Sequence, residues 1–577
     1  MYKYNKNNDL LIGQFFYNKK LSFVLTENKD LIYIENKHIN RTDNNQFVLI
    51  KIINEKITSK KSKKFGLIKK VLGNENDINT CINIAIKKYN LITNFSKKTN
   101  LDIKYLNDDI SSDMISKRTD LRHLPFITID GKDAKDFDDA IYCEKININS
   151  NSEYKFKLII AIADVSHYVS EFSNIDQDAF KRGTSIYFPN KVIPMLPKKL
   201  SNDICSLLPN KDRLTLVCEI ILDMFGVIDS YKFYESIIRS NFRFNYEDAY
   251  QLVTNISDNK FISNKIHQNI FNIYNIYKIL KQKKYNNKNM NFDLNEIKFN
   301  IKKNRINKIE ILERNDMHKA IEECMLTANI CAADFLINNN SDALFRIHEK
   351  PNVDKIDNLF KFLISIGISI EKYKKMNLHE LYFDLLENTK NHAQYKLIQS
   401  MCLRSLQQAK YSFVNIGHFG LSYKAYVHFT SPIRRYPDLL IHRFIKSILK
   451  NNQCKNIENK SIDDLMSSKE RLAEESSRFV SSWYKCLFAK SYIGQLFSGV
   501  ITSIVQFGLF ISLDDINIEG MIHISSLGNE KFKFDKNNHI LLGKYSKKTF
   551  CISDKILVKI EKVDLFFRKV YLIPVNR

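Results

Sequence analysis

The chain has no apolar run long enough to span a bilayer, and its first residues, Met1-Tyr-Lys-Tyr-Asn-Lys-Asn-Asn, contain no hydrophobic stretch of the kind a secretory signal needs. These two absences argue against a membrane protein and lead to the expectation of a cytoplasmic one. The ten cysteines include no Cys-x-x-Cys pair and no Cys/His spacing suited to zinc. Several lie in apolar segments, as Cys143, Cys324 and Cys331 do, which marks them as small core residues in a reducing compartment. No internal repeat of solenoid length is present. What remains is a chain of 577 residues, 44% hydrophobic, too long for one core and expected to divide into about three or four domains.

Acidic residues are outnumbered, 64 against 88 Lys and Arg, for a formal net charge of +24. Such an excess points to a polyanionic partner, because Lys and Arg facing phosphates release counterions on binding. The chain is also rich in Asn and Ile, a compositional bias that would raise Lys without any function, so the charge supports a nucleic-acid partner and does not establish one. Against this background five aspartates fall within ten residues of Thr128-Ile-Asp-Gly-Lys-Asp-Ala-Lys-Asp-Phe-Asp-Asp139. Carboxylates this crowded repel one another and take up protons unless a multivalent cation or basic groups compensate them. Lys132 and Lys135 offset only part of the charge. Aspartate oxygens are hard ligands of the kind Mg²⁺ prefers, and metals so held position a water and neutralise a phosphate undergoing in-line displacement. A solvated acidic loop fits less well, since the cluster lies between two strand-like segments, Phe126-Ile-Thr-Ile and Ala140-Ile-Tyr-Cys. An acidic pocket in a basic protein points to a nuclease.

Between residues 10 and about 75 short apolar stretches alternate with turn residues: Ile12-Gly-Gln-Phe-Phe, Leu21-Ser-Phe-Val-Leu, Leu31-Ile-Tyr-Ile, Phe47-Val-Leu-Ile-Lys-Ile and Phe65-Gly-Leu-Ile. That is a small β-barrel pattern. Lys60, Lys61, Lys63 and Lys64 precede its last strand, and Phe15, Phe16 and Phe23 are either a base-stacking platform or barrel core. A linker rich in Asp, Asn and Ser, from about Asn107 to Lys117, opens a large α/β region ending near residue 490. Its middle carries a helical pattern from Asn315 to Phe335, with Glu322 and Glu323 embedded in the apolar stripe. From about Gly494 the pattern returns to β with Phe497-Ser-Gly-Val-Ile-Thr-Ser-Ile, Gly508-Leu-Phe-Ile-Ser-Leu, Gly520-Met-Ile-His-Ile and Lys555-Ile-Leu-Val-Lys-Ile. The expected architecture is multidomain α+β, with two small barrels flanking one large domain.

A second dense motif is His428-Phe-Thr-Ser-Pro-Ile-Arg-Arg-Tyr-Pro-Asp-Leu-Leu-Ile-His-Arg443. Its prolines restrict the backbone around Arg434 and Arg435, and a planar guanidinium in a fixed position suits bidentate binding of phosphate. The same arginines would also serve to pair with carboxylates that hold the domain together. Asp438 and His442, one helical turn apart, are expected to be structural.

Together the aspartate motif and Thr430-Ser-Pro-Ile-Arg-Arg-Tyr-Pro-Asp resemble the ribonuclease II/ribonuclease R family of exoribonucleases. Further matching stretches run in order: Arg182-Gly-Thr-Ser-Ile-Tyr-Phe-Pro, Val192-Ile-Pro-Met-Leu-Pro, Leu200-Ser-Asn-Asp-Ile-Cys-Ser-Leu, Arg314-Asn-Asp-Met-His-Lys, Phe345-Arg-Ile-His-Glu-Lys-Pro and Gly417-His-Phe-Gly-Leu. The resemblance implies a single cold-shock-like OB barrel at residues 1–105, a ribonuclease II-type catalytic domain at 106–490 and an S1 RNA-binding OB barrel at 491–577. It implies processive 3′→5′ hydrolysis of RNA, threaded from a single-stranded 3′ end, to nucleoside 5′-monophosphates, with Mg²⁺ or Mn²⁺ as cofactor and a monomer acting on single-stranded RNA or a 3′ overhang. By motif, Asp130, Asp136, Asp138 and Asp139 correspond to the metal-site aspartates, Asp138 being the one whose loss is most damaging, and Asp133 lies outside that set. Arg434 corresponds to the arginine near the scissile phosphate, and Tyr187 and Phe292 to aromatics that clamp terminal bases. Tyr246 and Glu322 correspond to further 3′-end contacts, and Phe507, Phe510 and His523 to positions where S1 domains present stacking groups. Ribonuclease R usually adds a second cold-shock domain, an N-terminal helical extension and a lysine-rich tail, which this sequence does not show. Two alternatives remain: a ribonuclease II-like enzyme that stalls at structured RNA, and a catalytically silent RNA-binding member of the family. The complete aspartate set with Arg434 argues against the second.

Overall fold

The computed structural model describes residues 10–575 apart from 19–20, 36, 38, 40–41, 59–60, 148–153, 255–262, 291, 293–295, 393, 452–460 and 536–539. Five strands, β1 (Leu10–Asn18), β2 (Leu21–Thr26), β3 (Leu31–Ile34), β4 (Phe47–Thr58) and β5 (Lys61–Gly73), close into a barrel in the order β1-β2-β3-β5-β4. Alternation along each strand sends Phe15, Val24, Ile32, Val48 and Ile50 inward, where all are fully buried. Gly13 is required at the closure, since a Cβ there would stand 2.3 Å from Val24 Cγ1. The two expectations for the phenylalanines divide between residues: Phe15 is core, whereas Phe16 and Phe23 stack on the outer face with centroids 5.4 Å apart. Phe23 is registered against Tyr33, and Tyr33 against Phe65, so the outer face carries an aromatic row with Lys63 Nζ 5.5 Å above the Tyr33 ring. Lys60 and the Lys61 side chain lie outside the described residues.

The central sheet contains β6 (Thr119–Asp120), β7 (Phe126–Asp130), β8 (Asp139–Asn147), β9 (Tyr154–Ala163), β12 (Asp212–Leu222) and β13 (Ile228–Asn245), in the order β12-β9-β8-β7-β13-β6. Between β9 and β12 a short hairpin, β10 (Ile186–Phe188) and β11 (Lys191–Ile193), projects Tyr187. The near-continuous apolar run of β9, Leu158 to Ala163, is buried throughout, as expected of a strand covered on both faces. The helix Asp316–Asn338 packs on this sheet, its first turn closed by Asn315, whose side chain accepts from the amides of Met317 and His318. The linker expected around 107–117 includes a one-turn helix, Ser112–Ser116, capped by Ser111. Cys143, Cys324 and Cys331 are buried free thiols, as their apolar surroundings implied.

After a second hairpin, β14 (Glu296–Lys302) and β15 (Arg305–Leu312), and a small pair, β16 (Phe345–Ile347) and β17 (Lys410–Ser412), the long helix Ile462–Ala489 leads into the C-terminal barrel. That barrel is built from β18 (Leu496–Val505), β19 (Gly508–Leu513), β20 (Ile518–His523), β24 (Lys555–Asp564) and β25 (Lys569–Pro574), with a small sheet of β21 (Phe532–Asp535), β22 (Ile540–Gly543) and β23 (Thr549–Phe550) inserted. A buried cluster separate from the first barrel's own interior joins the two barrels. Phe47 of the first, Ile186 of the projecting hairpin, Ile309 of β15, and Leu509 and Ile511 of the second barrel belong to one buried cluster with Trp483 of the long helix. Phe47 meets Trp483 edge-on at 5.1 Å and Phe566 at 5.4 Å. Glu27 accepts from both Lys88 and Arg568, tying the barrels together at the surface. Among the described residues no helix is long and apolar enough to cross a membrane.

Candidate active site

Strands β7 and β13 run parallel and end together, with Asn245 registered against Asp130. The chain leaves β7 at Asp130, turns through Gly131–Phe137, and starts β8 at Asp139, so the aspartate motif lies at the ends of three neighbouring strands. Arg243 holds the turn by donating through Nη2 to the carbonyls of Gly131 (2.9 Å) and Lys132 (2.8 Å), and the Phe137 amide donates to Ser206 Oγ at 3.1 Å.

Asp138 is the pivot and is only 4% exposed. Its Oδ1 accepts the Ile433 amide at 2.8 Å, and its Oδ2 lies 3.5 Å from Arg434 Nε. Arg434 is itself oriented: Nη2 donates to Ser431 Oγ at 2.9 Å, and its carbonyl accepts the Ser185 amide at 2.9 Å. Its side chain remains 42% exposed, free to reach a ligand. Asp136 accepts the Tyr187 hydroxyl at 2.8 Å, and Asp130 Oδ2 is buried without a hydrogen-bond partner. The four aspartates line a single cavity of about 1020 Å³ with Tyr246, Glu322 and Arg434.

Burial raises the pKa of Asp130, Asp138 and Asp139; Asp138 presses Asp130 further upward, as Asp130 does Asp139, and Arg434 opposes the rise at all three. A site whose carboxylates are pushed toward protonation, with one oxygen unsatisfied, suits a divalent cation bound through oxygen. Among the described residues no three acidic, imidazole or thiol groups form a closed coordination set.

The other expected residues are distributed more widely. Tyr246 opens the helix Tyr246–Val253 and stacks on His318 at 3.9 Å and 18°. Glu322 lines the cavity in an ion pair with Arg314. Tyr187, 43% exposed, reaches the site through its hydroxyl. Phe292 does not line the aspartate cavity: half-buried, it packs against the helical cluster of Leu359, Phe362 and Tyr382, where its apolar ring has apolar neighbours. Phe507, Phe510 and His523 form a separate group on the C-terminal barrel. Phe507 and Phe510 meet edge-on at 6.3 Å, and His523 is registered against Gly508. Asp438 and His442 are structural as expected: Asp438 accepts from Arg435 and the Ser431 amide, and His442 Nε2 bonds the Phe429 carbonyl at 2.8 Å. Sequence reasoning missed His318, Ser431, Arg243 and the Ile433 amide. For the last the only available signal was its place beside Arg434.

Three family models match in order along the chain: a cold shock domain at residues 23–96, an RNB domain at 118–451 and an S1 RNA binding domain at 490–569. Ribonuclease R of Buchnera aphidicola subsp. Schizaphis graminum is 39% identical over 579 residues, covering 98% of this chain and 79% of that relative. The chain belongs to the ribonuclease R family. Ribonuclease R of Escherichia coli strain K12 is 37% identical over 91% of this chain, which spans 65% of that longer protein. The apo form of Mycoplasma genitalium RNase R superimposes with a TM-score of 0.89 at 26% identity, covering 99% of this chain and 90% of that one, and the same protein has been solved with ribose-methylated single-stranded RNA (TM-score 0.88). Yeast Ssd1, described as a pseudonuclease, shares the fold at 19% identity, covering 93% of this chain and 68% of that one (TM-score 0.69). Ribonuclease R and RNB proteins are exoribonuclease hydrolases, generally dependent on a divalent metal.

Proposed function

We propose that this chain is a processive, Mg²⁺-dependent 3′→5′ exoribonuclease that admits RNA by a single-stranded 3′ end and releases nucleoside 5′-monophosphates. Mn²⁺ is expected to substitute. The observation that carries this reading is the buried Asp138, locked by the Ile433 amide and facing Arg434, within a cavity walled by Asp130, Asp136 and Asp139. These four aspartates would hold the metal, whose chemistry there is to neutralise phosphate charge and ready a water.

The chain's own groups account for the rest. Arg434, fixed by Ser431, presents a guanidinium to the scissile phosphate and stabilises charge that builds as the water–phosphorus bond forms and the bond to the 3′ oxygen breaks. The departing oxygen takes a proton and becomes the new 3′ hydroxyl. Tyr187 and Tyr246 offer aromatic faces beside the site, and stacking accepts any base, as a degradative enzyme needs. Outside the cavity, the row of Phe16, Phe23, Tyr33 and Phe65 on one barrel and the group of Phe507, Phe510 and His523 on the other provide base-stacking surfaces toward the incoming strand.

The same reading treats the chain as a cytoplasmic monomer, divided into a cold-shock-like unit at 1–105, a catalytic unit at 106–490 and an S1 unit at 491–577. Its test is a gel of 3′-overhang RNA incubated with Mg²⁺ or with chelator. A ladder shortening from the 3′ end with monophosphate product, lost in chelator, supports it; intact RNA under both conditions refutes it and favours the silent RNA-binding alternative.

A further inference from the structure

A strand threaded into the aspartate cavity by its 3′ end fills the way it came, yet each turnover leaves a mononucleotide at the innermost position. Hydrolysis also changes that product's charge. A phosphodiester carries one negative charge, whereas a phosphomonoester carries about −1.5 to −2 at neutral pH. The product therefore responds more strongly than the substrate to any cationic surface beside the site.

Behind the turn Gly131–Phe137 lies a second cavity of about 560 Å³. Its wall includes Lys132, Lys135, Arg243, Asn202 and Leu208, and it shares Lys132, Asp133 and Ala134 with the catalytic cavity, so one loop separates the two. Basic side chains predominate on this wall; Lys132 borders both cavities, and the charge of Arg243 also reaches Asp130. Among the described residues Lys132, Lys135 and Arg243 have no carboxylate within ion-pair distance, while Asp133 is engaged by Lys298 at 3.6 Å. Arg243 spends Nη2 on the loop carbonyls, and its Nε is buried without a hydrogen-bond partner. The loop is an irregular turn held by the Arg243 donations, and a Cβ built on Gly131 would meet nothing within 4 Å.

We propose that this cationic cavity is the site through which the nucleoside 5′-monophosphate leaves, received by Lys132, Lys135 and Arg243 while the next nucleotide advances from the opposite side. The inference rests on the exoribonuclease reading and deepens it: the cavity behind the loop draws the more highly charged phosphomonoester away without reversing the strand.

The test compares the first phosphodiester cut with later cuts on the same strand, by rapid quench with end-labelled RNA and Mg²⁺, in the full chain and in two variants outside the catalytic groups. Asn202→Asp brings a negative charge to the wall of the second cavity from outside the aspartate loop, and Asn202→Trp narrows it. The expected result is a first cut at the parent rate in both, with every later cut slowed about tenfold, the lower range of electrostatic effects on charged-ligand transit. Later cuts that keep pace with the parent in both variants overturn the route. Equal slowing of first and later cuts also overturns it, by assigning these residues to the shape of the catalytic loop. Absence of any cut in the parent would instead fail the exoribonuclease reading itself, so the two failures are distinguishable.

Discussion

Replacing Asp138 by Asn should abolish hydrolysis and at the same time make the metal-free protein more stable. Asp138 is 4% exposed, and its charge is offset only by one amide and by Arg434 at 3.5 Å. An Asn in the same rotamer keeps Oδ1 as acceptor for the Ile433 amide and fills the same volume, so the fold should survive. Burial raises the Asp138 pKa, and for an acid whose folded pKa lies above its unfolded one the folded state binds the extra proton. Stability is then fully present below the unfolded carboxylate value near 4 and is lost as pH rises toward the folded value. Neutral pH without metal is therefore where the carboxylate costs most and where Asn helps most, by about 1 to 3 kcal/mol, the range for an incompletely satisfied buried polar group. Turnover should fall by about 10³-fold or more with Asp138 in its proposed role at the metal, since the same change also removes the carboxylate facing Arg434. Thermal melts in chelator across pH 5 to about 8, a binding assay on uncleavable RNA and a hydrolysis time course check the three parts. A variant that hydrolyses within about tenfold of the parent, or that melts lower than the parent in chelator at neutral pH, refutes the reasoning.

Arg434→Lys should lose about 10²-fold to 10³-fold in turnover despite the retained charge, because an ammonium cannot reproduce a planar two-donor contact; initial rates at saturating RNA decide this, and full activity in the variant refutes it. Tyr187→Ala should lengthen the limit product while leaving the initial rate on long RNA nearly unchanged, since a stacking contact of about 1 to 3 kcal/mol matters most when few nucleotides remain bound; an unaltered product ladder would deny it a clamping role. A duplex bearing a 3′ overhang should be digested and a blunt duplex or circular RNA left intact, with overhang affinity falling steeply as salt rises, and a stop several nucleotides before the duplex would identify a ribonuclease II-like enzyme.

The parts of the molecule legible in the sequence were those set by local period or by charge. Alternation at Ile12–Phe16 and Gly508–Leu513 announced barrel strands, and the apolar stripe from Asn315 announced the helix that begins at Asp316. The aspartate cluster stood out because so many like charges in ten residues are costly without a cation. Contacts distant in sequence left no such trace. Asp138 is anchored by an amide 295 residues away, and Arg243 reaches the aspartate turn only because β13 runs parallel beside β7. Motif correspondence marked Phe292 as a clamp but carried no information on packing, and its ring rests on the helical cluster of Leu359, Phe362 and Tyr382. Alternation placed Phe15 and Phe16 on opposite faces of β1 without saying which face was inside.

The buried cluster that joins both barrels to the long helix has a consequence for experiments that treat this protein as beads on a string. Trp483, fully buried, touches Phe47 of the first barrel and shares its cluster with Leu509 and Ile511 of the second, while Asn517 of the second barrel donates to the Ile309 carbonyl on the hairpin whose other strand holds Lys298 against Asp133. Deleting either barrel would leave the flank of the long helix open to water as well as removing a surface for RNA. A truncated chain that grips RNA poorly would thus report a damaged scaffold as much as a missing hand, and single substitutions on the outer faces, at Phe16, Phe23, Phe507 or His523, are the changes that separate the two.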